Sequence, residues 1–310
     1  MKRTMLLFAA GVAAVAMTAA PAGAGAGTQT GPSASCWTES SGFDSLAALT
    51  SPASSARGTE VGREPALNET VEALPESAKG KGGKKFRATV PTYFHVITDG
   101  ATGNLTDAQI QEQMNVLNLA FSGFYGGANS GFRFELEDIT RTDDAEWFNA
   151  KAGTHPEREM KSTLRQGGFE SLNIYTNLAG GYLGYAYLPG LPDSRLAIDG
   201  IVLHWGSLPG TTVFPGRYDL GMTLVHEAGH WVNLEHTFYG GCNAKGDFVA
   251  DTPAMLVPTS GCPEGKDTCP KEPGLDPIHN YMDYSYDACY NQFTPGQVAR
   301  AQDSWLYFRA

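Results

Sequence analysis

Residues 219–235 read DLGMTLVHEAGHWVNLE, and within them His226-Glu227-Ala228-Gly229-His230 has the pattern H-E-x-x-H. The stretch is expected to form a helix. Residues four apart then lie about 40° apart around the axis and about 6 Å apart along it. Both imidazoles can therefore point a ring nitrogen at one zinc ion roughly 2.0–2.1 Å away. Glu227 lies one step round, where its carboxylate can face a metal-bound water without being a ligand.

His236 follows six residues after His230. A straight helix would carry it about 15 Å beyond His226, outside any shared coordination sphere. The chain must turn sharply after His230 if His236 is to be the third ligand. The extended H-E-x-x-H-x-x-G-x-x-H pattern places a glycine at the turn, where this chain has Asn233. Asparagine is among the non-glycine residues that best tolerate the left-handed conformation and can close a helix, so the turn is expected to persist. A chance H-E-x-x-H in a chain of this composition has a probability on the order of 1%, and a third histidine in the required place lowers it roughly forty-fold. His95 and His204 fall in strand-like runs and His155 and His279 beside or near prolines, where structural or surface roles are expected.

Outward from this helix the chain alternates strand-like and helix-like patterns. Ala88–Thr98 is a β-branched and aromatic run; Thr106 offers a cap before the periodic Ile110, Met114, Leu117 and Phe121; Phe132–Thr140 alternates as a half-buried strand. Pro156–Arg165 reads as a helix, and Leu172–Thr176 and Ile198–Trp205 as buried strands. Alternation of this kind predicts an α+β fold in which helices pack on a mixed sheet.

At the N-terminus, Lys2 and Arg3 precede the apolar run Met5–Ala20, and Ala20–Ala26 is rich in small residues, the pattern of a secretory signal peptide over residues 1–26. Sixteen apolar residues fall short of the roughly 20 that span a bilayer, so a secreted, extracellular product without a membrane span is expected. Residues 27–85, rich in Ala, Gly and Ser and ending in the cationic Lys79–Lys85, read as a pro-segment with a loose, cleavable end. The remaining 86–310 form the catalytic domain. The whole chain of 310 residues carries 22 basic against 33 acidic side chains, a net charge of −11, but residues 86–310 carry 14 against 26, or −12. So acidic a domain is no candidate for the phosphate backbone of nucleic acid, and the whole chain's 42% hydrophobic and 11% aromatic composition excludes general disorder.

Beyond the helix, Asn280-Tyr281-Met282-Asp283-Tyr284 is similar to the Met-turn of metzincins. Together, HEAGHWVNLEHTF (226–238), GDFVADTP (246–253), NYMDYS (280–285) and FTPGQVARAQDSWLYFR (293–309) resemble the pappalysin (cytophagalysin-like) family of secreted zinc endopeptidases, as do LNIYTNL, LGYAYLP and DGIVLHW. The resemblance runs from about Ala88 to the C-terminus. It implies a zincin-like fold split by a cleft, with the sheet and active-site helix above. Below would lie a disulfide-stapled, loop-rich subdomain of residues 237–293 ending in a helix over Pro295–Tyr307. It places Gly181–Leu188 at the sheet edge, where an extended protein or peptide substrate could pair through its backbone.

The resemblance further implies zinc on His226, His230 and His236, Glu227 as general base for the attacking water, Tyr284 at the oxyanion and Met282 as an apolar floor. It also implies structural calcium, for which Asp247 and Asp251 supply hard oxygen ligands. Four of the five cysteines lie in the loop-rich segment, which allows three pairings; the family pattern implies Cys242–Cys269 and Cys262–Cys289. The fifth, Cys36, lies in the pro-segment, where its thiolate could take zinc's open position and keep the precursor latent. A monomeric endopeptidase is expected. The other readings are a zinc-dependent hydrolase of non-peptide amides and a secreted binding protein with a vestigial site, against which the intact Glu227 stands.

Overall fold

The computed structural model describes residues 74–243 and 246–310; Cys36 and the leader lie outside them. The sheet has five strands, β1 (Ala88–Thr98), β2 (Phe132–Asp143), β3 (Leu172–Asn177), β4 (Gly184–Ala186) and β5 (Ile201–His204), in the order β2-β1-β3-β5-β4. All pairs are parallel except β4 with β5, which is antiparallel. The mixed sheet expected from the alternating pattern is therefore present, with β4 at one edge.

Strand alternation sorts the side chains into two cores. Val90, Phe94, Leu172, Ile174, Ile201 and Leu203 face one way, joining Ile110, Met114 and Leu117 of helix α1 (Asp107–Phe121). Ile97, Tyr175, Tyr185 and Val202 face the other, joining Phe148 of the single turn α2 (Ala145–Phe148) and Met160 of α3 (His155–Leu164). Helices thus cover both faces, as burial of a largely parallel sheet requires. Helix α1 starts where its cap demands: Thr106 Oγ1 accepts the Gln109 N–H at 3.2 Å, and Gln109 Oε1 accepts the Thr106 N–H at 3.0 Å.

Three elements are shorter than the sequence pattern predicts, each for a local reason. β5 begins at Ile201 and not Ile198, because Gly200 adopts φ +117° and Asp199 is held by two 3.0 Å contacts from Arg309 and one of 3.2 Å from Trp231. The edge strand shrinks from Gly181–Leu188 to Gly184–Ala186, since Gly180 and Gly181 turn the chain with φ of 62° and 100°. The helix of the H-E-x-x-H stretch, α4, spans Met222–Trp231 within the predicted Asp219–Glu235, bounded by Gly221 at φ 83° and Asn233 at φ 77°.

The terminal helix α5 (Pro295–Phe308) also differs in its company. Val298, Ala301 and Trp305 pack into the sheet core with Phe132 and Trp231, while Gln297 pairs with Asn280 and Gly296 with Asp251, so the helix joins the sheet to the loops before it. Among the described residues, 232–293 contain no strand and no helix longer than the 3₁₀ turn Asp287–Cys289. Disulfides Cys242–Cys269 and Cys262–Cys289 hold this half, each spanning 27 residues. At that loop length each constrains the unfolded chain by about 3–4 kcal/mol in the chain-entropy account. No helix among the described residues is long and apolar enough to cross a membrane.

The cationic run before β1 is more ordered than its composition suggests. The backbone N–H groups of Gly80, Lys81 and Gly82 donate to the Asp303 carboxylate at 2.6–2.7 Å, and that of Gly83 to Gln302 Oε1 at 2.7 Å. Leu74 and Ala78 are buried ahead of it.

Candidate metal centre

All ten residues of α4 are buried, which explains its hydrophobic flanks and fixes its orientation against the sheet. The approach to it is tied from two sides. Gln113 on α1 donates to the Gly221 carbonyl at 2.9 Å, and Asp287 in the loop half accepts the Leu220 N–H at 2.9 Å. His226 and His230 therefore project from a rigid element.

The helix ends where the third histidine needs it to. The Leu234 N–H donates to the Gly229 carbonyl at 2.9 Å and the Asn233 N–H to the His230 carbonyl at 2.8 Å, which together form a Schellman closure with Asn233 left-handed. This closure reverses the chain and returns His236 to the helix. The Nε2 atoms of His226, His230 and His236 lie 3.0–3.2 Å from one another.

That spacing and the protonation states fit a bound cation. Tetrahedral zinc with nitrogens at 2.0–2.1 Å would set them about 3.3 Å apart. His226 Nδ1 lies 2.6 Å from the Tyr281 carbonyl and His230 Nδ1 lies 2.7 Å from the Leu234 carbonyl. A carbonyl can only accept, so both Nδ1 atoms carry the proton and both Nε2 atoms present lone pairs. Lone pairs converging in a buried site repel unless a cation lies among them. The His226, His230 and His236 triad is thus consistent with the site of a zinc metalloprotease.

The turn of residues 280–284 supports this cluster from below. Met282 is fully buried, and a side chain on Gly229 would come within 2.4 Å of its sulfur, so the methionine lies directly against the helix between the two histidines. The turn is held by a reciprocal carboxamide pair between Asn280 and Gln297 at 2.7 and 3.0 Å, by Asn280 accepting the Met282 N–H at 3.0 Å, and by Tyr290 donating to the Asp283 carbonyl. Tyr284 is buried, its ring 4.9 Å from that of His236 and 5.6 Å from that of His226. Glu227 is fully buried on the same helical turn as His226.

The structure brings together His226, Glu227, His230, His236, Met282 and Tyr284 and leaves the other histidines elsewhere. His95 bonds Thr140 and Asn173 within the sheet. His204 is pushed down to about 4 by burial and accepts the Gly206 N–H at 3.0 Å. His279 contacts the Cys289 carbonyl and Glu264. Asp247 and Asp251 lie in the loop half, lining a cavity of about 300 Å³ with Thr252 and Glu272. The carbonyls of Tyr281 and Leu234 escaped the sequence reading, because a backbone acceptor carries no side-chain signature.

Comparisons with known proteins agree with this geometry. Residues 183–305 match the family model Peptidase_M43, described as pregnancy-associated plasma protein-A. An extracellular metalloprotease of Pyricularia oryzae is 46% identical over 228 residues, covering 72% of this chain and 76% of that protein. One from Arthroderma benhamiae is 42% identical over 278 residues, covering 86% and 90%. Among solved structures, mirolysin in complex with compound 9 superposes with a TM-score of 0.62 at 30% identity, covering 70% of this chain and 90% of that one. A Tannerella forsythia promirolysin mutant superposes equally well at 29% identity, covering 71% and 81%. With this sheet, these three histidines and relatives of this similarity, the chain belongs to peptidase family M43, the pappalysins, whose curated relatives are extracellular metalloproteases.

Proposed function

We propose that the protein is a secreted zinc endopeptidase made as a latent precursor. The observation that carries this reading is the convergence of three Nε2 atoms within 3.2 Å beside a fully buried glutamate on the same helix. His226, His230 and His236 would hold the zinc, which supplies Lewis acidity for water and a carbonyl at neutral pH. Glu227 takes a proton from the attacking water and returns it to the departing amine, a role typically worth about 10²–10⁴-fold. Tyr284 donates a hydrogen bond to the developing oxyanion, and Met282 keeps the histidines in place from below. The β4 edge offers backbone groups to an extended protein or peptide substrate. Glu227→Ala should keep zinc and lose proteolysis of a protein substrate; surviving proteolysis would overturn this reading. Cleavage of small amides with proteins left intact would instead favour the non-peptide hydrolase.

Latency is assigned to residues upstream of the clamp on Asp303. The four hydrogen bonds at Gly80–Gly83 support counting these residues with the catalytic domain, which moves the end of the pro-segment from Lys85 to Lys79 or earlier. Sequencing the N-terminus of the active enzyme tests this, and a mature chain beginning at Phe86 would refute it. Cys36 is proposed as the ligand that blocks zinc in the precursor. Cys36→Ser should give early activity, and unchanged latency would remove the thiol from the scheme.

Calcium is proposed at Asp247 and Asp251. Asp247 is buried, and although its Oδ1 accepts the Val249 N–H at 3.1 Å, burial pushes its carboxyl up to about 7. A hard cation would relieve that burden. Asp251 has a second task, accepting from Thr294 Oγ1 and the Gly296 N–H at 2.8 Å each at the start of α5.

A further inference from the structure

Gly184 is the first residue of the edge strand β4, opposite Leu203 of β5. Most glycines of the described chain adopt positive φ, where a side chain would be strained, but Gly184 does not. Its backbone suits any residue, so the lack of a side chain needs another reason. A Cβ built there would meet three atoms first, all belonging to Glu227: Cγ and Oε1 at 2.8 Å and the carboxyl carbon at 3.1 Å. Real Cβ atoms essentially never approach so closely.

The strand is graded for this contact. Gly184 and Ala186 share the face turned towards the helix core, while Tyr185, between them, enters the opposite core. The face towards α4 thus carries nothing larger than a methyl group, and the backbone of the edge strand can lie against the Glu227 carboxylate. A larger residue at position 184 would have to push the strand outward or the carboxylate aside. Both displacements change the distance between the general base and any peptide paired with β4.

We propose that Gly184 is a positioning residue for the reaction: its missing side chain sets the place of the Glu227 carboxylate relative to the substrate-binding edge. This inference rests on the reading of Glu227 as general base. It is separate from the zinc ligands, because no histidine atom is among the three nearest to the added Cβ.

The test is a cycle of four mature, zinc-loaded proteins: the parent, Gly184→Ala, Glu227→Ala and the double variant. In the parent, Gly184→Ala should lower kcat on the order of 10²-fold, the cost of a misplacement near 1 Å, with zinc content unchanged and KM little altered. It should also lower Tm by on the order of 5 °C through overpacking. In the Glu227→Ala background the atoms it would strike are gone. An alanine at an ordinary strand φ restricts the unfolded chain, so there the same substitution should leave Tm unchanged or raise it. Equal destabilisation in both backgrounds, or full kcat in Gly184→Ala alone, would overturn the inference while leaving the zinc site and Glu227 intact. Proteolysis persisting in Glu227→Ala would instead remove the catalytic reading and this inference with it.

Discussion

The sheet half and the loop half of this enzyme are held by different physics, and the metal centre is built across them. Above, five strands and their helices share continuous apolar cores, so hydrophobic burial supplies the order. Below, residues 232–293 offer little regular structure, and beyond the six residues that join the sheet-side core (Val232, Leu234, Tyr281, Met282, Tyr290 and Phe293) order comes from two disulfides, from side chains bonded to backbone, and from the braced turn under Met282. His226, Glu227 and His230 belong to the first half. His236 and Tyr284 belong to the second, and the Tyr281 carbonyl of the second half fixes the tautomer of His226 in the first. A rigid scaffold thus presents two histidines of the triad while a stapled loop region supplies the third, and a metal bound by all three would cross-link the halves.

The sharpest way to break this comparison is His236→Ala, which removes the one histidine that the loop half brings to the triad. Zinc content should fall and proteolysis be lost, while the far-ultraviolet circular dichroism of the sheet half persists; full zinc occupancy would show that the helix alone binds the metal. Next in size is the pair Cys262→Ser and Cys289→Ser. Its absence of cross-link should cost about 3–4 kcal/mol, with hydrogen exchange rising first in residues 232–293 and only slightly in β1 and β3. Uniform loosening of both halves would mean that they unfold as one unit.

A smaller effect lies in the pH dependence contributed by Asp247. Its folded carboxyl is pushed up to about 7 by burial, against roughly 3.9 in an unfolded chain. Between those values the unfolded chain has released a proton that the folded chain retains, so this group makes stability fall as pH rises from about 4 to 7 and level off above. The difference in Tm between the parent and Asp247→Asn, followed over that range without calcium, should widen with pH in favour of the variant. Calcium should erase the difference by stabilising only the parent, and indifference to calcium would withdraw the proposed site.

The smallest effect is expected at the hinge between the halves. Asn233 is left-handed, and both polar atoms of its buried side chain lack hydrogen-bond partners among the described residues. Asn233→Gly keeps the Schellman turn and removes that burden, so Tm should rise by a few degrees at most and activity should be kept. Asn233→Val, with a branched side chain at φ 77°, should weaken zinc binding through His236; unchanged zinc affinity there would show that the turn is not what returns the third ligand.

Much of the sheet half is legible in the chain because its order is periodic. A β-branched and aromatic run marks β1, alternation marks β2, a short buried run marks β3, and the Thr106 cap with Ile110, Met114 and Leu117 marks α1 to within a residue or two. The elements near the edge were overextended for a reason periodicity does not carry. Gly200, Gly180 and Gly181 bend the chain at positive φ, and whether a glycine lies in a strand or turns out of it depends on partners distant in sequence. The hydrogen bonds that Gly80, Lys81 and Gly82 of the cationic run donate are hidden for the same reason, since their acceptor is Asp303, over two hundred positions away.

By itself the sequence determined the chemistry: two histidines and a glutamate at helical spacing, a third histidine after a residue able to turn left-handed, and cysteines enough to staple a loop-rich segment with a weak core. These are local facts, set by covalent spacing and by the φ a residue tolerates. Only the tertiary structure decided how the parts bear on one another. It set the Tyr281 and Leu234 carbonyls against the imidazoles, Met282 under Gly229, and the bare backbone of Gly184 against Glu227. Backbone acceptors and absent side chains have no signature in a sequence, and their effect appears only when packing brings them within contact distance of the groups they constrain.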